Sequence, residues 1–273
     1  MHRARKRFGQ HFLHDRSIIE RIIASIDPQP ADHLVEIGPG LGAITLPLLE
    51  RIDSFDAVEI DRDAIRHLRE STAARGTVRI HEADVLEFDF GTLAAAGRPL
   101  RLVGNLPYNI STPLLFRLIE QRALFIDMHF MLQKEVVDRM AAAAGDDDYG
   151  RLSVMLAPWL GVEPLFEIGP GAFRPPPRVV STFVRLRPHA TPPFELQDVR
   201  KFASVVAAAF SQRRKTLRNS LKPLLSERQI MAAGIDPGAR AEVISPAGFA
   251  ALAAQLDSTR CTTGQSPDDN PAV

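Results

Sequence analysis

Short clusters of residues in the first half of the chain have types and spacings that suit chemistry on a nucleoside. The segment 35–45 reads VEIGPGLGAIT, with an acid at Glu36 and glycines at positions 38, 40 and 42. Such glycines permit a tight turn and let the backbone approach a ligand closely. Taken alone, the turn is also an ordinary strand-to-helix connection. Glu59 lies 21 positions after Gly38, where an acid can accept hydrogen bonds from both ribose hydroxyls. These features would equally suit a dinucleotide, although Ala43 departs from G-x-G-x-x-G. Asp84, in HEADVLEFD, changes the balance. An aspartate there can accept from an adenine amino group; it opposes a pyrophosphate but tolerates a sulfonium and an ammonium. Glu36, Glu59 and Asp84 therefore point to S-adenosylmethionine, with Gly38, Gly40, Ile60 and Val85 as adjoining contacts.

A second cluster, NLPYNIST at 105–112, follows the strand-like LRLVG and has the form N/D-x-P-Y/F. An exocyclic adenine amine is a poor nucleophile because its lone pair is conjugated into the ring. It needs acceptors that hold its hydrogens and favour a pyramidal nitrogen, not a strong base. Asn105 Oδ1 and the Leu106 carbonyl can supply these, with Pro107 stiffening the backbone. Tyr108 offers a face on which an extruded base can stack. The bland alternative is an Asn-Pro turn before a helix capped by Ser111 or Thr112.

The elements that must position these residues alternate between strand and helix patterns over the first 190 residues, as in an α/β sheet. Strands are expected at 33–37, 56–60, 77–80, 100–104 and 125–132. The proline-stiffened segment 169–188 leads into a strand and should form an antiparallel edge hairpin with the strand near 162–168. A first helix carries Ile18, Ile19, Ile22, Ile23 and Ile26 on one side, with Ser17 as its expected cap and Asp27-Pro28 as its end. Further helices are expected near 43–51, over 62–74, and from Ser111 and Lys134. AAAAGDDDYG (141–150) reads as a surface loop within this domain. The pattern from 197 to 256 is helical throughout, giving domains at 1–190 and 191–256 and a polar tail, 257–273, expected to be disordered.

Composition narrows the classes. With 45% hydrophobic residues the chain can bury a substantial core. Its formal charge is zero, but that total hides an uneven distribution. Residues 53–89 hold ten acids and five bases, whereas 197–229 hold eight bases and two acids. Arg3, Arg5, Lys6 and Arg7 make the start basic as well. The single cysteine, Cys261, excludes a disulfide framework or a cysteine zinc site and disfavours a cysteine nucleophile. No metal site is expected. No apolar run long enough for a transmembrane span is present. An Arg-rich start also suits a transit peptide, but the motif from Phe8 reads as part of the fold, so a cytoplasmic protein is expected.

In FASVVAAAFSQRRKTLRNSLKPLL (202–225), Phe202, Val205, Val206, Ala209 and Phe210 form one apolar helical face. Arg214, Arg218 and Lys222 recur every four residues beyond it, flanked by Arg213 and Lys215. No acid lies between 202 and 226, so ion pairing along the helix does not explain the stripe. A solvated helix surface is the plain alternative; phosphate contact accounts for it better. An RNA target would be unpaired, because the A-form major groove is too narrow for side chains to read.

Five motifs in order, KRFGQHFLHD (6–15), EIGPGLGAIT (36–45), GNLPYNIST (104–112), GAFRPPPRVVS (171–181) and FSQRRKTLRNSL (210–221), resemble the ribosomal RNA adenine dimethyltransferase family (KsgA/RsmA). The resemblance covers about residues 4–256. It implies a Rossmann-like class I methyltransferase sheet of seven strands, the last hairpin antiparallel, with a small all-α C-terminal domain. It implies S-adenosylmethionine as methyl donor, contacted by Gly38, Glu59, Asp84 and Asn105, with His11 and Leu13 in a segment that folds over it. Phe173 is expected to face Tyr108 so that the two sandwich the flipped adenine. His11 stands where asparagine is common, and a histidine nitrogen can replace an amide there. The implied substrate is two adjacent adenosines in a hairpin loop near the 3′ end of 16S RNA, in an immature small subunit, with the enzyme acting as a monomer. A 23S RNA methyltransferase of the Erm type shares the catalytic motifs and is the nearest alternative. A non-catalytic assembly factor and a nicotinamide oxidoreductase are more distant ones.

Overall fold

The computed structural model describes residues 11–94, 98–212 and 214–256. The basic start, Arg213, Cys261 and the 257–273 tail lie outside the described residues. The chain divides into two units. Residues up to Ala141 together with Trp159–His189 form the first, and Ala142–Pro158 with the residues from Ala190 onward form the second.

In the first unit, a two-stranded ribbon pairs β1 (Phe12–Leu13) antiparallel with β8 (Phe173–Arg174). The main sheet has seven strands in the order β4 (Thr77–Glu82), β3 (Ser54–Glu59), β2 (His33–Ile37), β5 (Leu100–Asn105), β6 (Phe125–Gln133), β9 (Ser181–Pro188), β7 (Leu160–Ile168). Every pairing from β4 to β6 is parallel, and β9 joins β6 and β7 antiparallel. The central strands are buried along most of their length, with Leu34, Val35, Phe55, Leu102, Val103 and Phe130 fully enclosed, as in sheets covered on both faces. Chain order runs outward from β2 through β3 to β4, then returns to β5 on the other side. That reversal is a topological switch point, and the crevice beyond it receives the ligand in open α/β sheets.

The helices of this unit are α1 (Arg16–Ile26), α2 (Thr45–Leu49), α3 (Arg62–Thr72), α4 (Ser111–Glu120) and α5 (Lys134–Ala141). α1 buries Ile22, Ile23 and Ile26. Its cap is Asp15 and not Ser17: the extended Asp15 carboxylate accepts from the N–H groups of Ser17 and Ile18. α4, by contrast, has no side-chain cap; Ser111 is its first residue and its hydroxyl donates to the Pro107 carbonyl.

Arg101 ties α1 to the sheet below the site. It donates to both oxygens of Asp127 at 2.9 Å, to Asp32 at 2.5 Å, and to the Ile26 carbonyl at the end of α1 at 2.7 Å. Its planar fork satisfies a strand carboxylate and a helix terminus at once.

The second unit comprises α6 (Arg151–Leu156), α7 (Val199–Phe210), α8 (Leu217–Ser220), α9 (Glu227–Ala232) and α10 (Pro246–Ala254). Residues 142–158, expected in the first domain, pack here instead. Val154 joins the core with Phe202, Val205 and Phe249, and the buried Tyr149 donates to the Ile244 carbonyl at 2.7 Å. The acids at 146–148 stay exposed while the apolar groups that follow them are buried. No helix among the described residues is long and apolar enough to cross a membrane.

Arg101→Ala leaves Asp127 buried without its partner, so it should lower the unfolding free energy by about 3–5 kcal/mol, read by urea denaturation. A loss below about 1 kcal/mol would show that the network does not brace the sheet.

Candidate active site

A cleft of about 1370 Å³ opens at the carboxyl ends of the parallel strands. Its walls bring together His11 and Leu13, Gly38 and Gly40, Glu59 and Ile60, Asp84 and Val85, and Asn105 through Tyr108. Phe173 is absent from this wall.

The turn after β2 takes φ values of 64°, 54° and 83° at Gly38, Gly40 and Gly42. L side chains rarely adopt these, so glycine is required for the chain to wind close to the strand ends. Glu59, at the end of β3, points its buried carboxylate into the turn. Oε1 accepts from Ile60 and Asp61 N–H at 2.9 Å each, and Oε2 accepts from Gly40 N–H at 3.1 Å. Burial raises its pKa despite these bonds. The backbone thus takes most of its accepting capacity and leaves a lone pair on Oε2 for a ligand hydroxyl, fewer than the two bonds expected from sequence. Beside it, Ile60 exposes 48% of its surface and Asp84 is exposed, while Val85 is buried. Asp84 already accepts from Leu86 N–H at 2.9 Å, which orients the carboxylate and leaves a second oxygen for a ligand.

Glu36 is 2% exposed on the floor of the cleft. Desolvation drives its pKa up to about 8, opposed by the Thr45 hydroxyl, which donates to Oε2 at 2.6 Å, and reinforced by Glu59. Burial thus favours the protonated form of this carboxyl.

The loop after β5 is held at several points. Leu106 N–H donates to Met131 on β6 at 3.3 Å, and the Pro107 carbonyl accepts from Ile110 N–H and the Ser111 hydroxyl, each at 3.1 Å. Asn105 Nδ2 donates to the His11 carbonyl at 3.0 Å. A carbonyl can only accept, so the amide nitrogen must face it, and Oδ1 is the atom left for another donor. Tyr108 is half-buried and its hydroxyl meets the Ser181 hydroxyl at 2.9 Å. Burial raises the phenol pKa, so the hydroxyl stays protonated.

The ring opposite Tyr108 is His11 and not Phe173. The His11 and Tyr108 centroids are 5.8 Å apart and 29° from coplanar, and His11 Nδ1 donates to the Pro175 carbonyl at 2.8 Å. Phe173, 2% exposed, packs with Leu13, Ile168, Ala172 and Phe183. Burying its ring stabilises the β1–β8 ribbon by about 2 kcal/mol more than exposure beside an open cleft would. Pro175 and Ser181 are contributors that sequence reading missed; a lone serine in a strand carries no motif.

In the second unit, Arg214, Lys215, Arg218 and Lys222 are all exposed. They do not share one continuous helix: α7 ends at Phe210, and a turn precedes α8. Thr216 pairs with Arg240 and breaks the ladder there.

A parallel sheet closed by an antiparallel hairpin, a glycine turn at the switch point and an Asn-Leu-Pro-Tyr loop on the adjoining strand define a Rossmann-like class I methyltransferase. The chain belongs to the ribosomal RNA adenine dimethylase family, whose model matches residues 1–258. It is 55% identical over 256 residues to the ribosomal RNA small subunit methyltransferase A of Methylococcus capsulatus, covering 94% of this chain and 99% of that one. The protein of the same name from Nitrosococcus oceani is 56% identical, over 92% and 95% of the two chains. Among solved structures, the 23S rRNA methyltransferase ErmE superposes with a TM-score of 0.70 at 27% identity, covering 90% of this chain and 99% of that one. A dimethyladenosine transferase from Plasmodium falciparum shares the fold, with a TM-score of 0.71 at 24% identity over 89% and 96% of the chains.

Because the Glu36 pKa is raised on folding, the native state holds a proton that the unfolded chain releases. Its contribution is fully present below the unfolded value near 4.5 and is lost as pH rises to about 8. The urea midpoint should fall between pH 5 and pH 8, and Glu36→Gln should flatten that fall and raise the midpoint at pH 8. An unchanged slope would place the titration elsewhere.

Proposed function

We propose that the chain dimethylates N6 of two adjacent adenosines in a hairpin loop near the 3′ end of 16S RNA, acting as a cytoplasmic monomer on an immature small subunit. The observation that carries this reading is the orientation of Asn105. With Nδ2 given to the His11 carbonyl, Oδ1 is left to accept a hydrogen from the target amine. The Leu106 carbonyl, one residue on, is the second acceptor, and Pro107 restricts the backbone that carries it.

The residues present fit S-adenosylmethionine, which supplies an electrophilic methyl group on its sulfonium when bound. Glu59 and the Gly38–Gly42 turn would hold the ribose side, Asp84 the adenine amine, and Ile60 with Val85 the apolar ring faces. His11 and Leu13 would cover the ligand from the β1 side. Asn105 and Leu106 hold the N6 hydrogens and favour a pyramidal nitrogen whose lone pair is withdrawn from conjugation with the ring, while Tyr108 supports the extruded base from one face. Positioning and preorganised acceptors then lower the barrier to in-line attack. The methylated nitrogen then gives up one proton to solvent, so a single N6 hydrogen remains after the first transfer and one acceptor suffices to hold it for the second.

Arg214, Lys215, Arg218 and Lys222 are the described cations offered to RNA phosphates, with the base pocket selecting unpaired adenine. The relatives that are more than half identical bear a small-subunit name. The likeness to ErmE, a 23S enzyme, makes large-subunit RNA the second reading.

Labelled methyl groups should enter unmethylated small subunits as dimethyladenosine, read by mass spectrometry of nucleosides. Asn105→Ala should lower kcat about 100-fold, as loss of a preorganised electrostatic contact does. Exclusive labelling of large subunits, or full activity in Asn105→Ala, would overturn the assignment. Arg218→Ala and Lys222→Ala should each weaken RNA binding and reduce the slope of log affinity against log salt by about one. An unchanged slope would remove those residues from the RNA contact.

A further inference from the structure

Stacking needs only the face of an aromatic ring, so the Tyr108 hydroxyl is surplus to a base platform. The structure gives it a use. It lies 2.9 Å from the hydroxyl of Ser181, the first residue of β9. Ser181 is fully buried, and in the sheet it sits opposite Gln133 on one side and Ile168 on the other. Its backbone is therefore held by strands on both sides, on a part of the sheet that does not adjoin β5. A buried hydroxyl without a partner is costly, and Tyr108 is the partner recorded for this one.

We infer that Ser181 is a positioning residue for the methyl transfer: it fixes how far the Tyr108 side chain swings about its Cα–Cβ bond, and so where the face on which the target adenine stacks lies. This inference rests on the reading of Tyr108 as the base platform. The loop after β5 is pinned near its start by the Leu106 N–H and closed on itself where Ile110 N–H and the Ser111 hydroxyl donate to the Pro107 carbonyl. None of these bonds constrains rotation of the Tyr108 side chain about its Cα–Cβ bond. An anchor at the far end of the ring does, because the hydroxyl is the atom that moves most when the side chain swings about that bond. Asn105 holds the amine of the same base from the loop itself. Ser181 thus places the stacking face relative to the acceptors by a path through the antiparallel hairpin.

The test is a double-mutant cycle on unmethylated small subunits with Ser181→Ala, Tyr108→Phe and the pair, with Tyr108→Ala alongside. Binding of S-adenosylhomocysteine by calorimetry counts folded sites in each. Removing one neutral hydrogen bond should lower kcat about five-fold in each single variant. The double variant should also fall about five-fold, because both changes delete the same bond. Cofactor-site stoichiometry should stay at wild-type levels. A wild-type kcat in Ser181→Ala, or a double variant that falls by the product of the singles, overturns the inference. Should Ser181→Ala lose its folded sites, Tyr108→Phe removes the same bond from the half-buried side, and a wild-type kcat there overturns it. A wild-type kcat in Tyr108→Ala would instead sink the platform reading beneath it.

Discussion

Strands β2 and β5 meet at Gly104 so closely that a Cβ there would lie 2.6 Å from the Ile37 carbonyl. Ile37 and Gly104 are register partners, and each is followed at once by a functional loop. The glycine turn leaves from one and the Asn105–Tyr108 loop from the other. Their separation is consequently set by the spacing of two paired strands, about 4.8 Å, and not by loop flexibility. A methyl donor on one loop and an acceptor base on the next must approach to near contact for reaction. Pairing without a side chain between the strands makes that approach a property of the sheet.

The two ends of the sheet treat buried charge differently. Toward the amino ends, burial would raise the Asp56 pKa, but hydrogen bonds from Arg79, His81 and His33 outweigh it and bring it to about 2. Arg101 is similarly met by Asp127 and Asp32. At the carboxyl ends Glu36 and Glu59 are buried with hydroxyl and N–H donors but no described cation within ion-pair distance. These acids cost stability in the free protein. A ligand carrying positive charge offsets that cost, which is how strained electrostatics mark a functional cleft.

Most of the fold was readable because its signals are local. The isoleucine spacing of α1, the apolar strands and the glycine turn each report on a few adjacent residues. Gly38, Glu59, Asp84 and Asn105 likewise sit at strand ends whose positions follow from the strands themselves. The misreadings arose where partners come from far along the chain. Residues 142–150 do form the exposed loop that their letters suggest, but the sequence pattern places them in the first domain, whereas Tyr149, and Val154 just after it, find their neighbours beyond residue 200. Arg214, Arg218 and Lys222 keep their spacing, yet the break after Phe210 means that no single helix aligns them.

The amino-acid sequence by itself determined the α/β alternation, the cofactor turn, the two acids after the second and third strands, and the Asn-Leu-Pro-Tyr loop. Each depends on backbone preferences and side-chain chemistry within a short window. Only the tertiary structure decided which ring faces Tyr108, which atom of Asn105 is left to accept, and what anchors the tyrosine hydroxyl. The β1–β8 ribbon and the antiparallel hairpin bring His11 and Ser181 to that loop and turn Phe173 into the core instead. Contacts between segments so distant in sequence are selected by packing and hydrogen-bond satisfaction across the whole sheet, and no local pattern encodes them.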